Sequence, residues 1–547
     1  MVGNQDRWCE DIFVACPLRD LVPDDHILKR VDRVLDLSWL HKEVSDSYCP
    51  NNGRPSIDPE AALRLMLAGY LEGIVHDRTL MRRVQTDVAM RWFAGYRLHE
   101  RLPDHSSLTK IRQRWGEERF RRIFKRTVGE CVKAGLVDGE TVHVDATLIR
   151  ADVSWESLVE EHVEQVMVEN KEEAESSGET ESKPRRRPGR PRTRPAKRKK
   201  RSKTDPEATM ATSSHRWHLS PCFKQHTVVD DKGGVILDVA VTTGEASEGN
   251  ELLAQLDRVE EQTGKKVQTV TADAGYGRAK NYAELEKRKV DAVVVPQREA
   301  GAASKLPLRR FKYDSRHQLV RCPAGKILHR QGEQPTERGW IYRAQACDCR
   351  QCPLKQRCVP KSGAVRTVLI VDGYEALLRA RRARNRGWDE DRKELYRRHQ
   401  WWAEGRNGEA KIQHGLARAA RRGLWNVAIQ SYLTAAVINL KRLAKALAGN
   451  PRRRLAVAAF TRLIDGFCRL LGLDQVTSLH CPRLTVLRAG FFNSPTLPIF
   501  LTTVKSGACH YSCLTAVCRG RRARRGTGVL SGKPRLGLGS PSANLRR

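Results

Sequence analysis

The sequence predicts a mixed α/β (α+β) chain, with a helical N-terminal region followed by a sheet-bearing domain that carries insertions. Three observations predict it. Residues 10–135 place apolar side chains at helical spacing. From residue 139 onward, short β-branched runs alternate with helical stretches. Two of those runs, Thr141–Arg150 and Lys266–Gly277, each carry one isolated acid, Asp145 and Asp273, near the exit of an otherwise apolar strand. A carboxylate in such a strand is costly to bury unless it is paired or holds a metal.

Composition narrows the function. The chain has 547 residues, enough for two to four domains, and a net charge of +35 from 99 Lys+Arg against 64 Asp+Glu. That excess points to a polyanionic partner, most simply nucleic acid, with a basic membrane-surface protein as the competing reading. No apolar run is long enough for a transmembrane helix, and Met1–Arg7 is polar, so neither a membrane span nor a signal peptide is expected. The expected location is cytoplasmic, in contact with the nucleoid. The 15 cysteines are then expected to be reduced, and a local cluster suggests metal before disulfide.

The elements follow in order. Ile27–Leu37 and Glu60–Leu71 read as helices, the second after the loop Gly53–Pro59. Pro103–Ser107 offers N-caps to Leu108–Trp115, and Arg119–Thr127 and Val128–Ala134 continue the helical region. Arg112 and Arg114 are candidate DNA contacts on this phosphate-rich-partner reading, a solvated helix face being the alternative. After the Asp145 strand, Trp155–Ser176 reads as an acidic helix. The tract Lys183–Arg201 has no large apolar side chain and repels itself, so it is expected to stay unpacked. Its core, Arg187-Pro-Gly-Arg190-Pro, followed by Arg192, resembles an AT-hook for the minor groove; a flexible arm bound only to phosphates is the other reading.

Phe223–Val229 and Val235–Val241 read as a hairpin around Asp230–Gly234. Helix Gly249–Gln262, the Asp273 strand, helix Asn281–Lys289 and strand Asp291–Pro296 come next. The segment 300–365 changes character. Cys349 and Cys352 form a CxxC, and Cys322 and Cys358 complete a four-thiolate set suited to tetrahedral Zn²⁺, leaving Cys347 spare; idle thiols in a loop are the alternative. Helix Asp389–Trp402 leads into Ala403–Gly415, where Glu404, Gly408, Lys411 and Gly415 recur on one face. The glycines suit a close approach by a DNA backbone. Trp425–Leu447 is a long amphipathic helix, and Pro482–Arg547 shows no sustained period.

Three isolated acids therefore stand in order: Asp145 on a strand, Asp273 at the end of a later strand, and Glu404 on a late helix. Strand, hairpin, strand and helix is the element order of a ribonuclease H-like fold, in which such acids converge. Three converging carboxylates repel one another unless cations neutralise them, and hard oxygen ligands suit two Mg²⁺ (or Mn²⁺) ions for in-line phosphodiester attack. Glu409 is the rival third acid, about 140° round the helix from Glu404.

At this point the chain resembles a bacterial insertion-sequence transposase of the DDE type, with a transposase InsH-like N-terminal domain. The residues that carry the resemblance are Gly53–Pro59, Arg91-Trp-Phe93, Leu102–Ser107, Val144–Thr147, Lys203–Pro206, Lys224-Gln-His226, Ala272–Tyr276, the Cys349–Cys358 block, Glu404–Lys411 and His414-Gly-Leu416. They run collinearly over about residues 10–447. The resemblance implies that Asp145, Asp273 and Glu404 form a catalytic, metal-binding triad and that Lys411 contacts DNA near the cleavage site. Seven and four residues before the Glu, where related transposases often carry Tyr and Arg, this chain has Arg397 and Gln400.

The implied organisation is a DNA-binding helical domain at 1–138 and a catalytic domain at 139–447 with insertions at 155–215 and 300–365. An irregular tail at 448–547 follows. The implied activity is binding of terminal inverted repeats, hydrolysis of the element ends and joining of the 3′-OH to target DNA. Double-stranded DNA and a second copy of the chain are the implied partners, with no membrane. The alternatives are an inactive DNA-binding product of a decayed element and a nucleoid-type structural protein.

Overall fold

Strand β1 spans Thr141–Arg150, matching the sequence expectation residue for residue. The computed structural model that contains it describes residues 16–49, 56–154, 158–161, 199–211, 219–297, 306–334, 338–360 and 363–448. All belong to the first of the chain's two units, Met1–Arg462; the second is Leu463–Arg547. Arg187, Arg190, Arg192 and the tail from 449 onward lie outside the described residues.

The regular elements described within residues 16–138 are all helices. Helix Pro59–Leu71 starts with proline at its first position, and Asp58 accepts from the backbone N–H of Glu60 at 2.6 Å. Both features satisfy or remove otherwise orphaned donors. The stretches expected at 108–134 form one element, His105–Lys133, capped by Asp104 and broken at Gly116 (φ 72°, ψ 170°). Only glycine adopts that backbone without strain.

β2 (Leu158–Glu161) and β3 (Lys199–Ser202) form a two-stranded antiparallel ribbon. This corrects two expectations. Residues 158–161 are strand rather than acidic helix, and the basic tract ends in a strand rather than in an unpaired arm. The register sets Glu160 opposite Lys200 and Glu161 opposite Lys199.

The main sheet contains β4 (Thr209–Ala211), β5 (Ser220–Asp230), β6 (Ile236–Thr243), β7 (Thr269–Ala272) and β8 (Asp291–Val294) with β1. β5 lies antiparallel to β1, and β6 and β4 both pair with β5. On the other side of β1, β7 and then β8 run parallel to it. The crossovers run through helices Leu252–Thr263 and Ala279–Arg288, as parallel pairing requires.

Helix Leu424–Ala448 is buried along most of its length and packs on His105–Lys133 and on β6. Phe124 and Tyr432 stack with centroids 6.2 Å apart. The fully buried Asn439 amide bonds both N–H and C=O of Ile236 at 2.9 Å. That pairing satisfies backbone groups of the edge strand that would otherwise be orphaned.

The 300–365 insertion and the strand just after it form a second antiparallel sheet, ordered β13 (Thr367–Val371), β12 (Gly339–Ala344), β11 (Ile327–Gln334), β10 (Leu319–Arg321) and β9 (Lys312–Asp314). The sequence reading assigned this segment no strands. Its runs are short and alternate with charges, so their period was weak. No helix among the described residues is long and apolar enough to cross a membrane.

Candidate functional site

β1 and β7 are in parallel register, with Val144 opposite Ala272. Asp145 is the next residue of β1, and Asp273 follows directly after the end of β7, so both acids continue from one paired position. Asp145 is flanked on its other side by Thr227 of β5. Burial, with smaller contributions from the charges of Asp273 and Glu404, pushes its carboxyl up to about 6, against hydrogen bonds from the Ala146 backbone and Asn407. Asp273 is also raised, by burial and then by Glu248, while its Oδ1 accepts from the Gly275 backbone N–H at 2.9 Å.

Glu404 reaches this field through an unusual helix. Glu390–His399 continues into a five-residue π-helical turn, Gln400–Glu404, and then into helix Gly405–Gln413. A π turn inserts one residue into a helix and shifts the phase of everything after it. Here the shift lets His399 face the sheet from one segment while Asn407 faces it from the next. Asn407 Nδ2 donates to Asp145 Oδ2 at 2.9 Å. Glu404 itself is exposed, and its charge bears on Asp145 and on Tyr396.

Lys411 is half-buried on the same side. Burial lowers its ammonium, and the charge of Asp145 acts in the opposite direction. Gly408 has nothing within 4 Å of a notional Cβ, so its face is open. Gly415, expected on the same helix face, instead lies beyond the helix with φ +69° and packs against Val75; its reason is the backbone turn.

Glu409, the rival acid, is engaged by other side chains. It is held by Arg406, by Lys441 at 2.7 Å and by nearby His414. Burial works to raise its carboxyl, but those partners together hold it well below the usual range.

Sequence reasoning missed several supporting residues. His143, Thr271 and His399 form a buried chain, with His143 Nδ1 2.6 Å and His399 Nδ1 3.1 Å from Thr271 Oγ1. His143 Nε2 lies 3.0 Å from Asp231, which also pairs with Arg398. His143 and Thr271 sit two residues before Asp145 and Asp273, and strand period alone puts them on the same face. Glu248 stands beside Asp273 and pairs with Lys224 at 3.2 Å. A side chain at Gly275 would collide with Glu248. The signal for Asn407 was its place three residues after Glu404, one helical turn nearer the strand.

Arg112 corrects an expectation. It is only 2% exposed and makes a two-pronged contact with Asp77 at 2.7 Å, shared by Arg421 at 2.7 Å. It cannot face a phosphate. Arg114 is exposed, with its guanidinium 4.7 Å from the Tyr48 ring centroid.

The sulfur set converges. Cys322, Cys349, Cys352 and Cys358 line one small cavity, whereas Cys347 is exposed and does not line it. Among the described residues, neither these thiols nor the carboxylates stand in a closed ligand cluster of three or more as they are.

The donor set midway along β1 and just past β7 is carboxylate oxygen, backed by an amide and two lysines. That chemistry fits a hard divalent cation and defines an acidic site on the interior strands of the sheet. Residues 17–114 match a transposase domain (DUF772), and residues 321–444 match a transposase DDE domain. The two matches support an insertion-sequence DDE transposase. The second spans the cysteine block and Glu404, while Asp145 and Asp273 fall between the two. A comparison with curated proteins gives no match. Among solved structures, the chain is similar to a piggyBac transposase synaptic complex with hairpin DNA, determined by cryo-EM. The identity is 10% and the TM-score 0.30, covering 87% of this chain and 84% of that one. A likeness at that level says nothing further about this chain.

Proposed function

We propose that the chain binds the terminal repeats of its own element as an assembly of at least two copies, cleaves the ends and joins them to target DNA. The observation that carries this reading is that Asp145 and Asp273 each directly follow the last paired position of the parallel strands β1 and β7, within the field of Glu404 and Lys411. The strand order β6-β5-β1-β7-β8, with only β5 antiparallel to its central neighbour β1, supports a ribonuclease H-like reading of the sheet. On that reading, residues 1–138 supply end recognition and 139–447 the chemistry, in contact with the bacterial nucleoid.

Asp145, Asp273 and Glu404 would hold the divalent cations, Mg²⁺ or Mn²⁺. When bound, such a pair activates the attacking oxygen and stabilises the leaving one. Asn407 orients the Asp145 carboxylate, leaving its other oxygen for the site. Lys411, poised beside Asp145, neutralises the scissile phosphate. In the first step, water attacks phosphorus at the element end, the 3′-hydroxyl leaves with a proton, and the water's other proton passes to solvent. In the second, that 3′-hydroxyl attacks a target phosphodiester and displaces a target 3′-hydroxyl, with no bond to protein.

The test is strand cleavage of DNA carrying the element's own ends, with Mg²⁺ supplied. Asp145→Asn should lose cleavage by at least about 1,000-fold, the scale on which metal-supported charge stabilisation is felt, while keeping end binding. Cleavage retained in Asp145→Asn would sink the triad. Absence of cleavage in the parent chain, with end binding intact, would favour the inactive, decayed-element reading.

A further inference from the structure

We propose that Cys322, Cys349, Cys352 and Cys358 form a structural zinc site that pins the 300–365 insertion together. The proposal stands apart from the carboxylate site and does not depend on it.

Four cysteines from three separate places in the chain meet at one cavity. Cys322 opens a tight turn after β10, in which Gly325 N–H donates to the Cys322 carbonyl at 2.9 Å and Cys322 N–H donates to the Lys326 carbonyl at 2.8 Å. Gly325 has φ +82°, so the knuckle requires glycine there. Cys349 lies on the short helix Ala346–Arg350, Cys352 just after it, and Cys358 at the end of Lys355–Cys358. None of the four is in a disulfide. The cavity holds about 30 Å³, room for one small body.

The surroundings suit a negative centre. Zn²⁺ with four thiolates carries a net charge of about −2. Lys326, Lys355 and Arg366 line the cavity with the cysteines, against one acid, Asp348, which pairs with Lys326 at 3.5 Å. Arg366 spends its two terminal nitrogens on the carbonyls of Cys358 and Leu306, at 3.0 Å each. Its buried Nε has no hydrogen-bond partner among the described residues. A thiolate is an acceptor that Nε–H lacks here, and sulfur ligands of zinc commonly take such donors.

The insertion also needs a fastener. Its sheet has short strands and one apolar face, with Phe311, Val320, Leu328, Tyr342 and Ile370 as the main buried side chains. These side chains join the core cluster of the main domain, and a structural metal is a usual supplement where strands are this short. The sheet feeds directly into the helix Tyr374–Arg386, which packs on Ala279–Arg288 of the main domain. Ordering the insertion therefore fixes the approach to the Glu404 helix.

The experiment measures metal in the full-length chain purified without added zinc and dialysed against metal-free buffer. Elemental analysis should give one zinc per chain. Cys349→Ser and Cys352→Ser should lose it, while Cys347→Ser and Asp145→Asn keep it. If the serine variants do not fold, titration of the parent chain with an organomercurial settles the point: zinc should be released in step with modification of four thiols. Cobalt substitution should add thiolate-to-metal charge-transfer absorption. A parent chain without zinc that also takes up no cobalt overturns the proposal. So does zinc that survives in both serine variants or is lost in Cys347→Ser. Loss of DNA cleavage in Asp145→Asn with zinc retained separates failure of one site from failure of the other.

Discussion

Asn407 shows how much a single side chain carries in this site. Its Nδ2 is 2.9 Å from Asp145 Oδ2, and its own Oδ1 lies 3.5 Å from the Thr227 hydroxyl on the opposite neighbour of Asp145. The amide thus ties the Glu404 helix to the strand that bears Asp145. Partners that orient a ligating carboxylate typically cost roughly 10–100-fold in metal affinity when removed. Asn407→Ala should therefore need about that much more Mg²⁺ for half-maximal cleavage, with thermal unfolding little changed. An unaltered Mg²⁺ dependence would remove Asn407 from the site. Arg112 makes the opposite point. Composition identifies it as a basic residue on a helix, but its partner Asp77 lies far away in sequence and is invisible to local reading. Breaking a buried ion pair costs about 3–5 kcal/mol, and Arg421 still faces Asp77 here, so Arg112→Ala should cost about 3 kcal/mol of stability. Chemical denaturation measures it. If the variant keeps parental stability and loses only DNA affinity, the DNA-contact reading returns.

At the scale of elements, the π turn at Gln400–Glu404 organises the site. One extra residue separates the segment locked to Thr271 through His399 from the segment locked to Asp145 through Asn407. Trp401, 73% exposed, is the least engaged member of the turn. Inserting an alanine after it adds a residue beyond the one the turn already absorbs and should swing Glu404 by about 100° relative to His399. The expected outcome is loss of end cleavage with cooperative unfolding and DNA binding preserved. Cleavage that survives the insertion would show that the phase of this helix does not matter. No sequence signal marked this turn, because Gln-Trp-Trp-Ala-Glu is compatible with an ordinary helix. By contrast, β1 was legible to the residue. Its period of two and its lone acid are local properties, and so were the acids at 273 and 404. The pairing of β1 with β7, which makes neighbours of Asp145 and Asp273, was an inference from element order. The sheet β9–β13 was not legible, since its short, charge-interrupted runs take their stability from one another. The four cysteines of that insertion were legible as a set because spacing and thiol chemistry are both local.

For the whole molecule, buried histidines set the response to acid. His226 is fully buried in β5, with Nε2 2.9 Å from the Thr242 hydroxyl and Nδ1 without a partner among the described residues. Burial, together with the charges of Lys224 and Arg258, pulls its imidazole down to about 4 from the ordinary 6.5. His399 is brought down to about 4 in the same way, by burial and by His143. The sign follows from proton binding. Above pH 6.5 neither the folded nor the unfolded chain protonates these rings, and their full contribution is present. Between that value and about 4, the unfolded chain takes up protons that the folded chain refuses, so stability falls as pH falls. For His226 the separation is worth about 3 kcal/mol once pH is below both values. Raised carboxylates such as Asp145 and Asp273 act the other way, since the folded chain binds their protons more tightly. The difference between the parent and His226→Gln is therefore the clean measure. Urea unfolding at about pH 7.5 and 4.5 should show a smaller acid-induced loss in the variant, by about 3 kcal/mol at most. Equal losses in the two chains would mean that His226 protonates freely in the fold and that the β5–β6 edge opens to water.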